Sequence, residues 1–242
     1  MLKLGETGIS ALRLGGTEIK KAYLGSDLVF EGKKTSRLPE GYTEVEYIYP
    51  ADYRATINTK FSLKNYNAEA VVEYASIVNS SYKIFDARNV SSGRYYVVQV
   101  SCSKVRPGFL KTANGNTAFS DYGGVSPNIT PEVGKKYKII YTYSDAAGGA
   151  KIDVDGSSAN IESYSTAPKP TGNVILGGGE GSLATYIRYY SFRIFYGDGS
   201  IVFRDLVPCI DPSGTVGMYD LAYNSFYGPA SASYKWLAGP SV

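Results

Sequence analysis

"YIRYYSFRIFYGDGSIVFRDLV", residues 186–207, is the stretch that decides the fold. Two runs rich in Tyr, Phe, Ile and Val flank Gly197-Asp198-Gly199-Ser200. Aromatic and β-branched side chains suit a pleated, half-buried surface, and a Gly/Asp/Ser cluster between two such runs is a hairpin turn. The same grammar extends in both directions. β-rich segments recur at residues 42–49, 68–78, 82–87, 94–101, 136–143, 151–154, 173–176 and 201–209, separated by Gly, Asn, Asp and Ser clusters. In "KYKIIYTY", Tyr137, Ile139, Tyr141 and Tyr143 share one face, and Lys136, Lys138, Ile140 and Thr142 share the other. "VDGSS", residues 154–158, is a second turn, built on Asp155-Gly156. No amphipathic helix of three turns is found, and "DAAGGA" at 145–150 reads as a loop. The expectation is an all-β, antiparallel two-sheet sandwich spanning residues 41–242, a usual size for one such domain.

The first thirty residues follow a different rule. Leu-Gly recurs at Leu4-Gly5, Leu14-Gly15 and Leu24-Gly25, each opening a turn cluster: GETG, GGTE, GSD. The alternating stretches between them, 9–14, 19–24 and 28–30, predict a small antiparallel β-meander over residues 1–33. A unit this small buries little apolar surface by itself, so it is expected to lean on a partner. Leu4, Ile9, Leu14, Ile19, Leu24 and Val29 are the candidate attachment residues. The charged, Pro-containing segment 34–40 reads as a linker.

Composition excludes several functions. The chain of 242 residues has 25 Lys+Arg against 22 Asp+Glu, and nothing more basic than Lys20-Lys21 and Lys33-Lys34, so no nucleic-acid partner is implied. With no histidine, Ser-His-Asp, Cys-His and His-metal chemistry are ruled out. Cys102 and Cys209 lie in apolar stretches and read as buried free thiols in preference to a disulfide. "MLKLGETGIS" lacks the apolar core of a signal peptide, and no run of about 18 apolar residues exists, so neither export by that route nor membrane insertion is expected. The 23 tyrosines suit strands and also surfaces that meet polar partners.

Glycoside hydrolysis with retention needs two carboxylates about 5–5.5 Å apart. Glu44 and Glu46, and Asp153 and Asp155, are the closest approach to such pairs, and both are expected to be solvated strand or turn polarity. Asp153-x-Asp155-Gly156 lacks the further ligands and closing Glu of an EF-hand loop, so no metal and no cofactor is expected. "LGGGEGS", residues 176–182, lacks the Lys-Ser/Thr of a phosphate-binding loop and reads as a surface loop. Asp220 is expected to bond a turn amide or Arg204. Sugar recognition combines an aromatic platform with planar polar side chains, and Asn114, Asn116, Tyr122 and Glu180 are the candidate ligand-binding residues.

Three separated stretches, in order, resemble one family. "LPEGYTEVEYIYPADYRATINTKF" (residues 38–61) resembles the opening of concanavalin A-like, laminin-G-like jelly-roll domains frequent in bacteriophage and prophage proteins. "KIDVDGS" (151–157) is similar to their strand-plus-turn, and "RIFYGDGSIVFRDLVPCIDPSGTVGMYDLAYNSFYG" (193–228) to their tail. The decamer repeat resembles N-terminal segments that join phage virion proteins to the particle. The resemblance implies a non-enzymatic virion component (fibre, tail or decoration protein) assembled in the host cytoplasm, with an outward lectin-like domain for glycan or host-surface adhesion. Other virion proteins are the implied partners. A homo-oligomer is expected, a trimer being one form it can take, although the chain has no coiled-coil heptads. A glycoside hydrolase of the same fold and a decoration protein that binds no sugar are the alternatives.

Overall fold

The computed structural model describes residues 3–4, 7–8, 12–14, 17–19, 21–24, 27–31, 37–52, 54–63, 66–75, 82–87, 94–101, 104–113, 116–120, 132–144, 149–160, 173–178, 187–197 and 199–242. Strands are numbered in chain order.

The amino-terminal strands are β1 (Lys3–Leu4), β2 (Thr7–Gly8), β3 (Leu12–Leu14), β4 (Thr17–Ile19), β5 (Lys21–Leu24) and β6 (Asp27–Glu31). Among the described residues they pair as two-stranded ladders, β1 with β2, β3 with β4 and β5 with β6. Of the expected strand 19–24, Ile19 ends β4 and Lys21–Leu24 form β5, and Lys20 lies outside the described residues. Leu4 pairs with Thr7, Leu14 with Thr17 and Leu24 with Asp27, so each ladder closes over two residues beginning with Gly. Gly in the first loop position is the preference of a two-residue hairpin turn, and so short a loop costs little closure entropy. The ten-residue period is thus one hairpin per repeat. Among the described residues, none of these strands joins either large sheet.

The remaining strands are β7 (Thr43–Glu44), β8 (Ile48–Pro50), β9 (Thr56–Ser62), β10 (Asn67–Tyr74), β11 (Tyr82–Ala87), β12 (Arg94–Ser101), β13 (Lys104–Ala113), β14 (Asn116–Ser120), β15 (Lys136–Ser144), β16 (Gly149–Val154), β17 (Ser157–Asn160), β18 (Asn173–Gly177), β19 (Ile187–Tyr196), β20 (Ile201–Ile210), β21 (Val216–Asp220), β22 (Ser225–Tyr227) and β23 (Trp236–Ala238). One sheet runs β17-β16-β15-β10-β19-β20-β21-β22, with β7 on β20 and β8 bridging β19 and β23. The other runs β14-β13-β12-β11-β18-β9. The neighbours within each sheet are antiparallel and the central ones distant in sequence: β10 lies between β15 and β19, and β18 between β11 and β9. This is an all-β, two-sheet jelly-roll sandwich.

The core lies between the sheets. Ala68, Ala70, Val72 and Tyr74 of β10, Tyr137, Ile139 and Tyr141 of β15, and Ile187, Tyr189, Phe192 and Ile194 of β19 are buried on one side. Ile57, Phe85, Val174 and Leu176 belong to the other sheet. Phe85 meets Phe192 and Tyr141 edge to face, with ring centroids 5.5 and 6.0 Å apart. The Tyr189 hydroxyl donates to the Ile84 carbonyl at 2.8 Å, tying the sheets together. As expected, Lys136 and Lys138 are exposed on the opposite face of β15. In β19 the inward residues change phase between Tyr189 and Phe192. Val71 pairs with Ser191 but Val72 pairs with Tyr189, so Tyr190 is the extra residue of a bulge. The bulge keeps both ends of the strand apolar-inward and aims the Tyr190 hydroxyl at Glu73.

Both predicted turns are present. Asp155 and Gly156 have φ of 51° and 84° between the paired Val154 and Ser157, the pair of left-handed residues that a type I′ turn requires. Tyr196 pairs with Ile201 across residues 197–200. Of the residues read as linker, Arg37 and Leu38 are tied to the sandwich. The Arg37 backbone N–H and guanidinium donate to the Glu44 carboxylate, and Leu38 packs with Tyr42, Leu221 and Phe226 over Val207, Cys209 and Tyr219. Glu44 is therefore buried, at 3% exposure, where the sequence suggested solvated polarity. The entering chain lies over it, and the Arg37 fork offsets the cost of removing its charge from water.

Candidate ligand-binding cleft

The buried carboxylates are bound up in structure. Glu69 faces Lys138 at 3.1 Å and Arg193 at 3.6 Å, and Glu73 holds Arg188 and accepts from Tyr190. Burial first, and this hydrogen bond next, push the Tyr190 hydroxyl well above the usual tyrosine range. Glu69 and Glu73 are four residues apart on one strand, about 13 Å at 3.3 Å per residue, beyond the separation that hydrolysis of either stereochemistry uses. Asp220, fully buried, accepts from the backbone N–H groups of Asp205 at 3.1 Å and Ala222 at 3.0 Å. Arg204 Nε stands 3.3 Å from its other oxygen, near enough for charge attraction but not aligned as a hydrogen bond. The same guanidinium is sandwiched between Phe61 and Tyr223, 4.3 and 4.0 Å from the ring centroids. Of the partners suggested for Asp220, the backbone amides are hydrogen-bonded to it and Arg204 is its ion-pair partner. Asp153 accepts from the Gly156 N–H and Asp155 from the Lys138 N–H, each at 2.8 Å, so these acids fasten the turn. Glu46 is exposed and pairs with Lys136 at 3.2 Å.

A cleft opens where the turn before β21 meets the segment that runs into β23. It encloses about 410 Å³ and is lined by Thr215, Val216, Pro229, Tyr234, Lys235 and Trp236, among others. One wall is built by Asp211. Its Oδ1 accepts from Ser213 N at 2.9 Å, Ser213 Oγ at 2.7 Å and Thr215 N at 2.8 Å, and Gly214, at φ 86°, donates to its carbonyl. Burial pushes the Asp211 carboxyl upward, but these bonds outweigh it and hold the group below the usual carboxylate range. Thr215 Oγ1 shares a 2.9 Å hydrogen bond with Ser213.

The other wall is a strap stitched to the sandwich. The Ala230 N–H donates to Thr56 and the Ala51 N–H to the Lys235 carbonyl, while Trp236 pairs with Pro50 in the β23–β8 ladder. Arg54 lies over the Tyr234 ring at 4.5 Å and makes a two-pronged pair with Asp52, which holds the Asp52 carboxyl below its usual range. Trp236, 3% exposed, packs on Tyr189, and its indole N–H has no acceptor among the described residues. The cationic charge of Arg54 is thus matched by Asp52. The exposed Lys235 has no ion pair among the described residues.

The candidate ligand-binding residues of the sequence are not among the described residues that line this cleft. Asn114, Tyr122 and Glu180 lie outside the described residues. Asn116 is described only in its backbone, paired with Ala113 at the start of β14. Of the attachment residues, Leu4, Leu14, Ile19, Leu24 and Val29 lie in the hairpin strands, and Ile9 is outside the described residues. The signal that was missed is "SYKWL", residues 233–237, where two aromatics flank a lysine within a Ser/Ala/Gly/Pro-rich segment. Cys209 is a free, buried thiol that burial pushes up to about 12, and Cys102 lies outside the described residues.

Sheet order, register and core define the class, an antiparallel jelly-roll sandwich. No protein-family model and no curated protein matches the chain. Solved structures do align with it. The carbohydrate-binding module CBM66 from Bacillus subtilis is 13% identical, with a TM-score of 0.39 over 62% of this chain and 91% of that one. The CBM40 module of a Ruminococcus gnavus IT-sialidase is 10% identical, with a TM-score of 0.43 over 67% and 92%. A glycoside hydrolase family 16 protein from Bacteroides ovatus is 9% identical, with a TM-score of 0.44 over 68% and 84%. None of these likenesses bears on the chemistry of the cleft.

Proposed function

We infer that this chain is a non-enzymatic component of a bacteriophage virion. Its hairpin repeat docks it to other virion proteins or to copies of itself, and its jelly roll faces outward to adhere to glycan. The observation that carries this is the pairing of the first thirty residues: three hairpins whose inner pairs are Leu4–Thr7, Leu14–Thr17 and Leu24–Asp27, each laddered only to itself among the described strands. Isolated two-stranded hairpins are marginal in water, so such an array gains its stability from a surface it rests on. The resemblance of the repeat and of the three sandwich motifs to phage proteins supports the virion context. The absence of catalysis is supported by the buried carboxylates, each held by a cation. Adhesion is supported by the aromatic, donor-lined cleft, and weak sites in many copies gain from avidity.

Deleting residues 1–33 tests docking. The truncated chain is expected to remain folded but to be lost from assembled particles, and normal incorporation would refute the reading. An array of polysaccharides probed with the assembled oligomer tests adhesion, and the same polysaccharides incubated with it for release of reducing ends test for turnover.

A further inference from the structure

We propose that the cleft between the 211–215 turn and the 229–236 strap binds an anionic sugar residue, its carboxylate paired with Lys235. This rests on the adhesion reading and names the ligand class. The cleft presents donors without acceptors. Tyr234 and Lys235 line it, and the Lys235 ammonium and the Tyr234 hydroxyl have no hydrogen-bond or ion-pair partner among the described residues. In the adjoining turn, Asp211 accepts through Oδ1 from Ser213 and Thr215, and Asp52 is paired with Arg54. Neither acid forms an ion pair with Lys235 among the described residues. A ligand that complements this set brings oxygen acceptors and negative charge, as well as an apolar face to rest on Val216 and Pro229. A hexuronate unit has all three: a carboxylate, ring hydroxyls and an apolar C–H face. A pocket of this size with convergent polar groups on apolar walls is the usual form of a small-molecule site.

The test titrates the full chain with tetragalacturonate and, in parallel, with maltotetraose at low ionic strength, for wild type, Lys235→Met, Lys235→Arg and Tyr234→Phe. Lys235 is exposed, so its substitutions leave the fold intact, and circular dichroism verifies this. Tetragalacturonate is expected to bind more tightly than maltotetraose and to weaken as salt rises. Lys235→Met is expected to weaken it at least tenfold, Lys235→Arg to retain it, and Tyr234→Phe to weaken it a few-fold. Equal binding of the neutral and acidic tetramers, or acidic binding unchanged in Lys235→Met, overturns the ligand class while leaving adhesion standing. Failure of wild type to bind either tetramer or any polysaccharide of the array overturns adhesion itself.

Discussion

The hairpin array and the sandwich are built from the same kind of strand by opposite means. In the array, the most distant paired residues are Lys21 and Glu31, with one register shift between Ala22 and Tyr23. In the sandwich, the Thr59 hydroxyl donates to the carbonyl of Val174, 115 residues away, and β10 is completed by β15 and β19. Local pairing forms cheaply but buries little. Long-range pairing costs more closure entropy and is repaid by a shared core. On the docking reading proposed above, the sandwich is the part expected to be stable alone and the array the part expected to gain stability from what it rests on.

Substitutions that strike the shared core test this contrast most severely. Phe192→Ala removes a fully buried ring packed on Phe85 and is expected to cost about 3–5 kcal/mol, read from denaturant unfolding. Asp220→Ala strands the buried Arg204 charge and is expected to cost a similar ~3–5 kcal/mol. If either variant left the unfolding midpoint in place, the sandwich would not be one cooperative unit. Gly217→Ala sets a methyl 2.4 Å from the Tyr227 carbonyl oxygen and against the Phe226 ring, with an expected loss of about 1–3 kcal/mol.

Smaller effects sharpen the contrast through pH. The Asp211 carboxyl is depressed in the folded state, so its contribution is present above the unfolded pKa near 4 and is lost as pH falls through the lower folded value. Asp211→Asn should flatten the acid limb of the stability profile, and an unaltered limb would remove Asp211 from the account. The Cys209 thiol is raised to about 12, so the stability it contributes is fully present below the unfolded pKa near 8.5 and fades as pH climbs toward the folded value. At pH 8 iodoacetamide should leave Cys209 unlabelled in the native protein and modify it in urea. The smallest effect belongs to the array. Removing residues 1–33 should shift the unfolding free energy of the sandwich by less than about 0.5 kcal/mol, as expected for units without shared partners. A larger shift would mean that the hairpins rest on their own sandwich.

Much of this architecture was legible because turns are local. Asp155-Gly156 and the 197–200 cluster place two hairpins from two and four residues, and the Leu-Gly period places three more. Tyr137, Ile139 and Tyr141 announced the inward face of β15 by strict alternation. Where alternation broke, in "IRYYSFRIFY", no local pattern marks the bulge at Tyr190, because the register is set by β10 from across the sheet. Glu44 looked like solvated polarity because its burial and its pairing with the Arg37 fork depend on where the entering chain lies. The cleft stayed hidden because Thr215 and Trp236 belong to separate elements, and loop composition drew attention to Asn114, Asn116, Tyr122 and Glu180 instead.

By itself, the order of amino acids determined that the chain is nearly all strand, where several turns fall, and that a repeat of small hairpins precedes one large sandwich. These follow from side-chain shape and backbone preference within a few residues. Only the tertiary structure decided which strands are neighbours, which acids are buried with which cations, and that a turn and a strap enclose Tyr234, Lys235 and Trp236. Those outcomes depend on packing between segments far apart in the chain, where local preference is the same for many arrangements and the shared core selects one.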